Sequence, residues 1–154
     1  MARKEDEFRP TIVSVLTVIL FIISIGYFAY SGAGIVDYLL SNAFGVQINE
    51  TVFDFIIGII TMVASIIIFI GCIYAWKMKD PVSSLMVYGS VGFILKNVIE
   101  IINIVVGLVN LSVVQRHDIA LASAEIGANI FHLGFWVFVA IFFSVASFRQ
   151  KLVN

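Results

Sequence analysis

Lys96, Glu100, Asn103, Gly107 and Asn110 follow one another at intervals of four, three, four and three residues, which stacks them on one face of a helix. Further along, Asp118, Ala122, Glu125, Asn129 and His132 repeat the pattern. In apolar surroundings, an amine, carboxylates, amides and an imidazole on such stripes have two uses. They join helices through hydrogen bonds, or they hold cations and relay protons. Lys96 and Glu100, spaced i, i+4, can also pair within their own helix. If ions or protons move, His132 and Glu100 are the central exchange groups, Glu125 is the outer acceptor, and Lys96 is a fixed charge that blocks free leak. Polar contacts between membrane helices contribute about 0.6 kcal/mol on average, so the cluster holds more polar chemistry than cohesion alone requires.

Other chemistries lack residues to carry them. Glu125 to His132 is not the Glu-x-x-His spacing of a di-iron bundle, and one membrane histidine cannot supply a bis-His haem; His117 is expected in a loop. GxSxG, HExxH and P-loop motifs do not occur. Cys72 is the one cysteine, so neither an internal disulfide nor a CxxC motif can form. No metal site, no cofactor and no enzymatic activity are expected. Nine Lys+Arg against ten Asp+Glu, net charge −1, leave no basic face for nucleic acid.

The elements that position these residues follow from composition. Of 154 residues, 61% are hydrophobic and only 12% charged, with mean hydropathy +1.08, where soluble chains carry roughly a quarter charged residues. The bilayer core is about 30 Å thick, so a spanning helix needs roughly twenty apolar residues. Four runs qualify: about 11–30, 55–76, 82–114 and 119–148. Short polar turns at Lys77 to Pro81 and Gln115 to Asp118 make the helices they join antiparallel. The third run, as a straight helix, would be about 50 Å long, so it should tilt, extend beyond the bilayer, or kink near Gly89 and Gly92. The expected fold is all-α: a single four-helix transmembrane bundle comprising the whole chain, residues 1–154.

Orientation follows from the cations, which stay cytoplasmic near span ends. Arg3, Lys4, Arg9, Lys77, Lys79, Arg149 and Lys151 share the side of both termini, and Arg116 alone lies opposite, so both termini are expected to be cytoplasmic in the cell membrane. Asp54 and Asp118 then form an outer acidic fringe. The sequons at Asn49 and Asn110 fall on the outer side as candidate glycosylation sites. After Gly32-Ala33-Gly34, where the first helix is expected to stop, Val36, Leu39, Leu40 and Ala43 recur at helical spacing and suggest a short interfacial helix capping the bundle. Matching helices three and four by depth sets His132 beside Glu100, Asn129 beside Asn103 and Glu125 beside Gly107, forming a shared polar seam. The first and second runs contribute weaker stripes, Ser14, Thr17, Ser24 and Ser31, and Asp54, Gly58, Thr61, Ser65 and Cys72.

These observations lead to a multi-pass membrane protein acting as a non-enzymatic accessory or scaffold subunit of a larger complex. The alternative is a small oligomeric cation or proton pathway through the seam. The expected partners are the lipid bilayer and either a second membrane protein or further copies of the chain.

Overall fold

The computed structural model describes residues 11–45, 52–76, 82–110 and 116–153, with side chains described over 13–45, 52–76, 84–109 and 119–145. It is all-helical over those residues: α1 (Thr11–Phe44), α2 (Val52–Trp76), α3 (Val82–Asn110) and α4 (Arg116–Val153). Each helix contains a stretch long and apolar enough to cross a membrane. At 1.5 Å per residue they measure about 51, 38, 44 and 57 Å, all longer than a hydrocarbon core of about 30 Å. A membrane span closes every internal backbone hydrogen bond within itself, which is why uninterrupted helices suit so apolar a chain.

Several expected boundaries move, and three of them matter for the connections. The glycines of Gly32-Ala33-Gly34 do not stop the first helix, so the segment expected to form a separate helix is the last part of α1. Glycine in a helix costs only about 1 kcal/mol, and contacts with α2 outweigh that here. Ile35 packs against Gly58, and the Tyr38 and Phe55 rings stack at 4.6 Å. α1 ends instead at Gly45, whose φ of 65° is the left-handed conformation that terminates helices and that glycine adopts without strain. At the other shifted boundaries, α3 ends at Asn110 and α4 begins at Arg116, so His117 and Asp118 belong to its first turn and not to a connecting loop.

Close backbone approaches among the described residues join consecutive helices: α1 with α2, α2 with α3, and α3 with α4. Gly92 and Gly89 are close contact points of α3 on α2. A Cβ on Gly92 would lie 2.8 Å from the Ala64 Cβ, and one on Gly89 2.6 Å from the Ile68 side chain. α1 meets α3 across the bundle through the Tyr27 and Phe93 rings, 4.9 Å apart. The core is one apolar cluster drawn from all four helices, including Leu20, Ile68, Met86, Phe93, Trp136 and Val139. At its centre Phe93 and Trp136 stack at 4.1 Å with ring planes 6° apart.

Small polar residues line the inner faces of α1 and α2 as their spacing suggests. Thr17, Ser24, Ser31, Thr61 and Ser65 are buried. Each hydroxyl donates to a carbonyl of its own helix three or four residues back: Thr17 to Val13, Ser24 to Phe21, Ser31 to Tyr27, Thr61 to Ile57 and Ser65 to Thr61. They thus satisfy themselves without a neighbour and remain small enough for close helix packing. The Cys72 thiol donates across the interface to the Thr17 carbonyl at 3.5 Å.

Candidate functional site

The buried stripe of α3 runs through Met86, Ser90, Phe93 and Asn97. Lys96 stands one position, about 100° of helical rotation, to one side of it. That turn carries the amine towards α1 and α2. Its Nζ donates to Glu100 Oε2 at 2.6 Å, forming the expected i, i+4 ion pair, with the two side chains only 12% and 24% exposed. The ammonium also lies 6.0 Å from the centre of the Tyr27 ring on α1, within reach of a cation–π attraction.

The pair borders a cavity of about 240 Å³ between α1, α2 and α3. α1 contributes Tyr27, Tyr30, Ser31 and Asp37, α2 contributes Asp54, Gly58 and Thr61, and α3 contributes Lys96 and Glu100. The cavity occupies the half of the bundle remote from the chain termini, and Tyr30, Asp37 and Asp54 are exposed at its outer part. Asp37 is ten residues beyond Tyr27 along α1, a rise of about 15 Å, so carboxylates edge the outer end while the Lys96–Glu100 pair lies deeper. Below the pair the space is filled by Tyr27, Phe93 and Trp136. Among the described residues, no three His, Cys, Asp or Glu side chains converge as a metal site would require.

The expected seam between α3 and α4 does not form among the described residues. Asn103 and Glu125 are exposed, and Asn129 and His132 are half-buried with no hydrogen bond or ion pair to α3. A Cβ on Gly107 would meet nothing within 4 Å, so Glu125 does not pack there. What joins α3 to α4 is aromatic. Phe93 and Trp136 stack at this interface, and α4 turns towards α3 a face other than the expected one. Its buried positions are Ala122, Trp136, Val139 and Phe143, continued at three- and four-residue steps by Ile126, Asn129 and Leu133. Glu125 and His132 each precede that stripe by one residue and fall on its flank. Asp54, expected at the outer fringe, lies at the outer part of the cavity that Lys96 and Glu100 also border. The side chains of Asp118 and Asn110, and the whole of Asn49, lie outside the described residues.

Asn97, Asp37, Tyr27 and Tyr30 are absent from the residues singled out by spacing. Asn97 is 1% exposed. Its Nδ2 donates to the Phe93 carbonyl at 2.7 Å, while Oδ1 has no partner among the described residues. Counting three- and four-residue steps from Phe93, instead of from the charges, would have placed it in the core.

Four apolar helices packed in this way are compatible with a multi-pass α-helical membrane protein, and their apolar outer faces suit contact with a lipid bilayer. No protein-family model, curated protein or solved structure matches the chain.

Proposed function

We propose that the protein is a non-enzymatic accessory subunit of a larger membrane assembly, with both termini in the cytoplasm, and that α4 is its docking surface. The observation that carries this reading is the exposure of Glu125, inside the apolar stretch Ile119–Val145. It lies six residues, about 9 Å, from the start of that stretch. An acid facing lipid is costly, up to about 2.5–3.5 kcal/mol at mid-bilayer and less towards the surface. Such residues ordinarily turn inwards and find partners. Glu125 turns outwards, beside exposed Ala124, Gly127 and Ala128, where small side chains let a second helix approach closely. A two-fold contact between copies centred on Glu125 would bring like carboxylates together. The complementary partner is therefore a different chain presenting a Lys or Arg. The cations clustered at the termini support the cytoplasmic placement.

Purification in mild detergent followed by mass measurement tests this reading. The expected result is copurification with a larger chain, lost in Glu125→Gln and Glu125→Lys while the variants stay folded. A chain that runs alone, or a complex indifferent to Glu125, would refute it. The cavity beside Lys96 and Glu100 supports a second reading, a cation or proton pathway. It requires self-association, because below the ion pair Tyr27, Phe93 and Trp136 fill the space within one chain. Flux into proteoliposomes that Glu100→Gln abolishes would favour this second reading.

A further inference from the structure

We propose that the cavity between α1, α2 and α3 binds a small organic ammonium ion, entering from the end of the bundle remote from the termini. Size is the first consideration. About 240 Å³ lies below the 300–1,000 Å³ of pockets for drug-sized molecules and equals roughly eight waters of liquid volume. An occupant of some five to ten heavy atoms is on the order of what fits.

Charge gives the sign. Among the described residues, Asp37, Asp54 and Glu100 border the space with one ammonium, Lys96; Asp54 has an interaction of its own, so the sign rests on Asp37 and Glu100. Partial burial strengthens the pull of Glu100 on a cation relative to open water, while Asp37 acts from the exposed mouth. Lys96 engages Glu100 through Oε2, and a carboxylate has about four lone-pair sites on its two oxygens. Glu100 therefore retains acceptor capacity for a second N–H donor while its pairing with Lys96 persists. The carboxylates also occur at two depths. Glu100 is one helical turn beyond Lys96, and Asp37 is near the outer end, so an amine is attracted at the mouth and held further in. Lys96 repels it from going deeper.

The shape and chemistry favour an organic cation over a bare metal ion. The carboxylates do not converge into a three-ligand group among the described residues. The Tyr27 and Tyr30 rings on the wall offer apolar surface and π faces suited to an alkylammonium. The ligand is thus a short amine with an apolar body, taken up and held without conduction through the bundle.

The test uses the full chain in neutral-lipid nanodiscs and n-butylammonium as the probe, followed by calorimetry at constant ionic strength. n-Butanol serves as the neutral counterpart of equal size. Saturable binding of the amine is expected, with at least tenfold weaker binding of the alcohol. Asp37→Asn, at the exposed mouth where refolding is not at issue, should weaken the amine about threefold or more. Glu100→Gln should weaken it tenfold or more, with helicity checked by circular dichroism. Equal binding of alcohol and amine would overturn the proposal, as would an unchanged affinity in Asp37→Asn. Displacement of the amine by equimolar Ca²⁺ would identify an inorganic-cation site and overturn it too. Among the described residues none from α4 lines the cavity, so Glu125→Gln should leave amine binding intact, and the docking reading can fail without this one.

Discussion

Replacing Gly92 by alanine tests whether close contact of α2 and α3 sets the bundle. The new Cβ would lie 2.8 Å from the Ala64 Cβ and 3.6 Å from its Cα, whereas carbon atoms rest at about 3.5–4.0 Å. Neither atom belongs to a flexible side-chain tip, so the two backbones must separate by about 1 Å. Overpacking of this kind costs about 1–3 kcal/mol, against a gain of about 1 kcal/mol from alanine's higher helix propensity. Gly26→Ala, on α1, provides the control, because a Cβ there meets nothing within 4 Å. Propensity cancels between the two variants, so their difference isolates the steric cost, about 1–3 kcal/mol. Cys72, fully buried on α2, supplies the assay. Its labelling by a maleimide across an SDS titration reports the unfolded fraction. Gly92→Ala should shift the midpoint to lower SDS, and Ala64→Gly in the same chain should recover most of the loss, as coupled neighbours do. Equal midpoints for Gly92→Ala and Gly26→Ala would refute the close-contact reasoning. So would a double variant in which the two costs simply add.

Two further outcomes follow from the core and the ion pair. Phe93→Ala should destabilise the bundle by about 3–5 kcal/mol, as large-to-small core changes do, and should red-shift Trp136 emission, read in a Trp76→Phe background because Trp76 is itself exposed. An unshifted spectrum would contradict the stacked arrangement. Lys96→Met leaves Glu100 without its counter-ion and should cost about 1–3 kcal/mol in the same SDS titration, while Lys96→Met with Glu100→Met should recover most of it, since a paired charge replaced by apolar groups is often neutral. A double variant weaker than the single one would show that the pair itself stabilises the fold.

The four long apolar helices were legible in the sequence because a bilayer demands such runs. Twenty apolar residues between polar turns have no better solution than a helix, and all four runs are helical over the described residues. Thr17, Ser24, Ser31, Thr61 and Ser65 were also readable as inner-face residues. Each can bond its own helix and pack closely, so local chemistry and tertiary position agree. The end of α1 was not legible. Gly32 and Gly34 look like a stop, yet contact with α2 carries the helix on to Gly45.

The charged residues show where local pattern runs out. The sequence alone determined that Lys96 and Glu100 share a helix face and can pair, because their spacing is a property of one helix. Which way each helix turns was decided only by packing. Trp136 and Phe93 are the largest fully buried side chains among the described residues and occupy the contact between α3 and α4. A rotation of one residue, about 100°, then leaves Glu125 facing outwards and turns Lys96 towards α1 and α2. Large aromatic rings gain more from burial than charged groups, which lose hydration there. The polar groups therefore take the edges and the cavity that remain.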